Sequence, residues 1–278
     1  MKKKLKLLSL AALLLIMVLT TLYGCTDEDG KSPTDGSTES AETIHEKNTD
    51  VPDPLRIGVP SIEIPPMIIR EGDIFSGFEI DLIAETIDRL GVSYEIIPID
   101  PGTERELLED GIIDCAWGNM MDTGKQRLFY SMTDSYITIP QVVAVYEDSK
   151  ISDIKDIKSI SVIMSSPAES LADEDKLEVD CSRVSSSKDY EKTFELIRNG
   201  GSDAVVCDKT TADYMITRDG KIKIIEDNAA QVRYSVAFRQ KDEKMMLAVD
   251  KTLKDIFSEG ILPNLSLKWF GQDYYIIK

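Results

Sequence analysis

Apolar residues along this chain fall into three regimes. The first is Leu7 to Leu19, an almost unbroken apolar run of 13 residues behind Lys2, Lys3, Lys4 and Lys6. It is shorter than the ~20 residues a membrane span needs, and its basic flank is that of a secretory leader. The second covers residues 26–53, where Ala41, Ile44 and Val51 are the only aliphatic side chains among Asp, Glu, Ser, Thr, Gly and Pro. Such a stretch buries too little apolar surface to offset its ordering entropy. It predicts a flexible tether with a reach of roughly 30 Å.

From residue 54 the pattern becomes that of a packed domain. Leu55–Val59 before Pro60 reads as a strand. After Gly77, apolar positions at Ile80, Ile83, Ala84 and Ile87 follow helical spacing, and Gly91 marks the stop. A strand over Ser93–Ile99, a short helix over Glu104–Glu109 and a strand over Ile112–Trp117 complete a strand–helix alternation, the mark of α/β architecture with parallel strands. The same grammar then repeats. Strands are expected at Gln141–Tyr146, Ile160–Met164, Leu177–Val179, Ala204–Cys207 and Tyr234–Arg239. Helices are expected at Ala168–Asp173, Lys188–Asn199 and Thr210–Ile216. Met245, Val249, Leu253 and Ile256 stripe a long helix near the end. Two α/β lobes account for this repetition.

Composition narrows the chemistry. The net charge is −18, and removal of the four leader lysines takes it to about −22. Nucleic acid is thereby excluded as a partner, since its binders present basic surfaces. The sole histidine, His45, falls in the tether. Without it the folded part has no Ser-His-Asp or Cys-His nucleophile and no H-E-x-x-H metal site. No P-loop or G-x-G-x-x-G occurs, so no cofactor and no metal is expected. Cys115 and Cys207 sit in apolar runs and read as buried small hydrophobes. A Cys181–Cys207 disulfide stays open.

Leu22-Tyr23-Gly24-Cys25 resembles the bacterial lipobox, in which Cys is lipidated and becomes the new N-terminus. That resemblance implies a signal peptide over 1–24, lipid on Cys25, a tether over 25–53 and an extracytoplasmic location at the cell membrane. Further segments carry a second resemblance. They are Ile64-Pro65-Pro66-Met67, GFEIDLIAETIDRLGV at 77–92, GIIDCAWGN at 111–119, SDAVVCD at 202–208 and EGILPNLSLKWFG at 259–271. In order, they resemble the family 3 solute-binding proteins, the polar amino-acid receptors of ABC importers, over about 54–275. The resemblance implies a type II periplasmic-binding-protein fold with two hinge crossings. Lobe 1 would be 54–143 with the returning 236–278, and lobe 2 would be 144–235. It also implies a monomer that hands its solute to ABC permease subunits and has no catalytic residues.

The residues implied in ligand binding are Arg127, Asp208, Ser166, Trp117, Asn119 and Ile64. An Arg would take a ligand carboxylate bidentately, although the strict Trp117-to-Tyr136 register puts Gln126, between Lys125 and Arg127, at that position. Ser166 would contribute at a helix N-terminus, where Pro167 removes one amide donor. Asp208 would accept from a ligand ammonium, or simply cap the next helix. Trp117 and Asn119 lie where the third strand meets the cleft. Ile64 replaces the usual aromatic before Pro-Pro, which favours a more aliphatic pocket. Two other functions fit the same fold: a sensory or degenerate binding module not coupled to uptake, and a dehydratase.

Overall fold

The computed structural model describes residues 45–177, 179 and 181–274. The expected leader, Cys25 and most of the tether lie outside the described residues.

The first sheet has the order β4-β1-β5-β12-β6. Its strands are β1 (Leu55–Pro60), β4 (Tyr94–Ile99), β5 (Cys115–Ala116), β6 (Tyr130–Met132) and β12 (Ala237–Arg239). β4, β1 and β5 run parallel, while β12 lies antiparallel to β5 and β6. Leu55, Ile57 and Val59 on one face are fully buried, and Gly58 and Pro60 on the other are buried too, as a central strand covered on both faces requires. A small hairpin, β2 (Ile69–Glu71) and β3 (Ile74–Ser76), precedes α1 (Phe78–Leu90). Gly77 sits at φ +120°, and a Cβ there would lie 2.4 Å from the Met67 carbonyl oxygen. Only glycine fits this entry to the helix. α1 packs its Phe78, Leu82, Ile83 and Ile87 face into the first core with α6 (Glu243–Ser258) and α7 (Ile261–Phe270). α2 (Glu104–Glu109) covers a satellite cluster with Ile99, Leu108 and Ile113.

The second sheet repeats the plan with the order β11-β7-β10-β8-β9. It contains β7 (Ile137–Tyr146), β8 (Ser159–Ile163), β9 (Arg183–Ser187), β10 (Ala204–Asp208) and β11 (Ile222–Tyr234). Here β9, β8 and β10 are parallel, and β7 and β11 are antiparallel neighbours. α3 (Pro167–Asp173), α4 (Tyr190–Arg198) and α5 (Lys209–Asp219) link the parallel strands and the return. Each sheet with its helices is one lobe of a two-lobed α/β fold. The chain passes between the sheets at 133–136 and at 235–236. There the Thr133 and Tyr136 amides donate to the Val236 and Tyr234 carbonyls at 3.1 and 3.0 Å.

Four expectations need correction. Of the strand expected at Leu177–Val179, the described residues Leu177 and Val179 lie in no strand, and the edge strand is β9, whose polar Arg-Val-Ser-Ser-Ser carries no apolar alternation. β11 extends over 13 residues, most of them unforeseen, because its Glu-Asp-Asn centre reads as a turn and enters the ladder through register shifts. The strand expected at Ile112–Trp117 contracts to Cys115–Ala116. The last stretch of the expected tether is docked. Val51 is buried in the first core, the Asn48 amide donates to the Leu90 carbonyl at 2.8 Å, and Asp53 accepts from the Ser93 amide and hydroxyl. Cys181 and Cys207 belong to different clusters and no disulfide joins them. Among the described residues no helix is long and apolar enough to cross a membrane.

Candidate functional site

In both sheets the middle parallel strand is flanked by strands that lead off in opposite directions, the arrangement whose carboxyl ends form a binding crevice. β5 leads into Trp117–Asn119 and β8 into Ser165–Ser166, and β10 ends at Asp208. Asn119 Nδ2 donates to the Ser165 carbonyl at 3.1 Å, joining the end of β5 to the end of β8 across the lobes. Both residues adopt left-handed backbone conformations, at φ 60° and 55°. A more exposed pair, Lys125 Nζ with Glu174 at 3.4 Å, crosses nearby.

Asp208 is buried at the start of α5, yet its side chain makes no capping hydrogen bond. Its carboxylate instead accepts from Tyr234 Oη at 2.8 and 2.7 Å and from Gln141 Nε2. Burial pushes its pKa up to about 6, against the lowering pull of those two donors. Gln141 Oε1, Thr210 Oγ1 and Thr211 Oγ1 are buried around this helix start without partners.

A second buried acid, Glu79, faces Trp117. Trp117 Nε1 donates to Glu79 Oε2 at 3.0 Å, and Tyr136 Oη lies 2.8 and 2.9 Å from the two oxygens. Burial raises Glu79 to about 7. Its two hydrogen-bond donors oppose the rise and the negative charge of Asp208 adds to it. No Lys or Arg among the described residues forms an ion pair with either acid.

The other expected site residues sit as follows. Arg127 gives Nε and Nη2 to Asp122 at 2.6 and 3.0 Å, and its Nη groups also reach the Met132 and Thr133 carbonyls. Four of its five N–H donors are therefore used inside the first lobe, at the chain crossing. Ser166 caps α3 by accepting from the Glu169 amide at 3.3 Å, and Glu169 reaches back to the Ser165 amide at 2.6 Å. With Pro167 at the first helical position, this reciprocal cap leaves little of the helix N-terminus open. Ile64 is buried in a cluster that includes Val142, Tyr190, Phe194 and Cys207 of the second sheet and its helices. Met120 is core filler beside Ile99 and Leu108. Trp117, Asn119, Ser166, Asp208 and Ile64 thus gather where the lobes meet, whereas Arg127 turns to Asp122.

Four partners escaped the sequence reading: Glu79, Tyr136, Tyr234 and Gln141. Glu79 had a signal. It shares the apolar face of α1 with Leu82 and Ile83, three and four residues on, and an acid on such a face is buried with partners. Gln141 and Tyr234 are brought to Asp208 by antiparallel pairing distant in sequence.

Two lobes joined by two crossings, with buried polar groups at facing strand ends, define the class of two-lobed solute-binding proteins. The sequence narrows this to one family. Residues 55–272 match the model of the bacterial extracellular solute-binding proteins, family 3, and the chain belongs to that family. It is 24% identical to the arginine-binding extracellular protein ArtP of Bacillus subtilis, over 76% of this chain and 84% of that one. It is 23% identical to a glutamine-binding protein of Geobacillus stearothermophilus, over 81% and 89%. An ABC uptake transporter substrate-binding protein from Streptococcus pneumoniae, solved with bound histidine, superposes with TM-score 0.71 at 22% identity, over 80% of this chain and 94% of that one. The membrane-bound lytic murein transglycosylase F of Aeromonas salmonicida is 25% identical over 92% of this chain, but the match spans only 50% of that enzyme.

Proposed function

We propose that this protein is the extracytoplasmic substrate-binding lipoprotein of an ABC importer, and that it closes its lobes on a small polar solute bearing a cationic amino group. One observation carries the reading. Asp208 is a buried carboxylate at the junction of the lobes, held by neutral donors alone, so its charge awaits a cation. Relatives named for arginine and glutamine support an amino acid or a relative of one. The proposed lobes are 54–136 with 235–278, and 137–234, divided at the two crossings rather than at 143/144 because all of β7 pairs in the second sheet. Asp208, Trp117, Asn119, Ser166 and Ile64 form the site, and Arg127 braces the crossing beside it. The protein acts as a monomer, held to the membrane through lipid on Cys25, and no covalent chemistry is assigned to it.

Thermal unfolding of the purified protein, freed of co-purified solute, against a panel of amino acids and amines tests this function. A solute at 100 times its Kd adds about 2.7 kcal/mol to stability. A midpoint shift that Asp208→Ala abolishes supports the receptor, and recovery of the solute unchanged separates it from an enzyme. Cys25→Ala should move the protein from the membrane fraction to the soluble one. The committed donors of Arg127 and the closed cap of α3 favour a second reading, a sensory module that no longer serves uptake. Normal growth of a deletion strain on every solute the protein binds would select that reading.

A further inference from the structure

The chain leaves α7 in a hook. Gly271 turns it at φ 71°. The buried Ser266 hydroxyl then grips the turn twice, donating to the Gln272 carbonyl and accepting from the Tyr274 amide, each at 2.7 Å. The Tyr274 ring stands edge-on to Phe270 at 5.8 Å, and Phe270 lies 4.9 Å from Phe78 at the start of α1. Just before it, Trp269 Nε1 and Lys268 Nζ both donate to Asp81 of α1, at 2.7 and 2.6 Å. The hook is thus fixed to the first lobe by its own bonds.

Its polar ends point at the other lobe. Tyr274 Oη and Gln272 Nε2 lie 3.5 and 3.4 Å from Asp213 Oδ2 on α5. Asp213 is oriented from its own helix, because Lys209, one turn earlier, gives Nζ to both of its oxygens at 2.9 Å. Beside these contacts α5 and α7 stand apart: Tyr214 and Thr217 face Trp269 and Phe270 across a cavity of about 230 Å³. The bonds to Asp213 therefore bridge a gap that side-chain packing leaves open. They are long for hydrogen bonds, and Asp213 is partly exposed, so each is weak. A fastening that must break whenever the lobes part is drawn from such weak contacts. α5 also starts at Asp208, so what fastens this helix fastens the strand end that carries the candidate solute acid.

We infer that the C-terminal hook is a closure latch: Gln272 and Tyr274 of the first lobe fasten Asp213 of the second when the lobes are shut, and so raise the closed fraction of the empty protein. This rests on the lobe closure of the receptor reading and on no particular solute. Apparent affinity falls in step with the fraction of molecules in the binding-competent form, so the latch tunes affinity from outside the site.

Small-angle scattering of the purified protein without solute tests the latch. The parent should give the radius of gyration of the shut structure, and Gln272→Ala/Tyr274→Phe a larger one. Asp213→Ala, which removes the acceptor from the other lobe, should open the protein likewise. Lys209→Met leaves the hook and its acceptor in place and should keep the parent radius. A hook variant that loses stability in denaturant while its radius stays unchanged would make 272–274 ordinary packing of the first lobe and overturn the inference. A parent already as large as the variant would overturn it too. Arginine and glutamine serve as solute probes. Where either binds the parent, the hook variant should release it about three- to tenfold faster, in line with the lost closed fraction, and equal release would count against the latch. Failure of both to bind bears on the receptor reading alone, and the scattering still decides the latch.

Discussion

The backbone amide of Tyr136 donates to the carbonyl of Tyr234 at 3.0 Å, in the crossing between the lobes. Each tyrosine then sends its hydroxyl to a buried acid, Tyr136 to Glu79 and Tyr234 to Asp208. The two acids at the junction are therefore held by residues of the two crossing segments, so a change at either acid acts on the backbone about which the lobes move. Tyr234→Phe leaves Asp208 with Gln141 alone. A lost hydrogen bond to a buried charge costs about 1.5–3 kcal/mol. Denaturant unfolding should show that loss, and solute affinity should fall with it. Tyr136→Phe should show a comparable loss of stability with a smaller effect on affinity, because Glu79 is also held by Trp117.

Stability should fall as pH rises from about 4 toward 7. Glu79 and Asp208 are raised in the folded protein from 4.5 to about 7 and from 3.8 to about 6. Between those limits the native state holds more protons than the unfolded chain, and stability declines with pH wherever that is so. The contribution is complete below the unfolded values and is lost by about pH 7. It amounts to about 3 kcal/mol for each group, at 1.36 kcal/mol per pKa unit. Melting curves from pH 5 to 8 should show the decline, and Glu79→Gln or Asp208→Asn should each flatten it. A cationic solute works in the opposite sense, since it binds the ionised acid, so affinity should rise over the same range. A melting temperature that climbs from pH 5 to 8 would argue against these buried acids.

The sequence made the parallel halves of both sheets legible, because β1, α1, β8 and β10 bury one continuous run or one stripe each, β1 and β10 end at Pro60 and Asp208, and α1 and β8 stop just before Gly91 and the Met164–Ser165 turn. What it hid depends on pairing between distant segments. β11 carries Glu226, Asp227 and Asn228 at its centre and holds its place only through β7. Asp208 could be picked out at a strand end, but Tyr234 and Gln141 reach it from strands 26 and 67 residues away. Arg127 shows the limit most clearly. Its residue type and neighbourhood suit a carboxylate ligand, and Asp122, five positions earlier, is the carboxylate it meets. Local spacing does not say which of two anions a guanidinium will choose.

Arg127→Ala should separate these roles. Asp122 keeps only Ser135 when the guanidinium is removed, and its carboxylate is nearly buried. Because Arg127 is itself partly exposed, the expected loss is about 1–2 kcal/mol, at the lower end for a broken ion pair. Solute affinity measured by calorimetry should stay within about twofold. A large loss of affinity at unchanged stability would return Arg127 to the solute.

Ile64 tests whether apolar contact holds the lobes together. It follows the first strand of one sheet and is buried among Val142, Tyr190, Phe194 and Cys207 of the other. Ile64→Ala removes most of that contact, and a buried Ile→Ala change costs about 2 kcal/mol or more. If the contact exists only in the closed form, the cost falls on closure rather than on folding. A shift of about 2 kcal/mol changes the closed-to-open ratio roughly thirtyfold. Small-angle scattering of the solute-free variant should then give a larger radius of gyration than the parent, with most of the cooperative unfolding energy retained. Ile197→Ala is the control. It lies in the same cluster on α4, within one lobe, and should lower unfolding stability while leaving the radius unchanged. If both variants keep the parent radius, Ile64 is ordinary core packing and the lobes are held by their polar contacts, of which Asn119 with Ser165 is the first to remove.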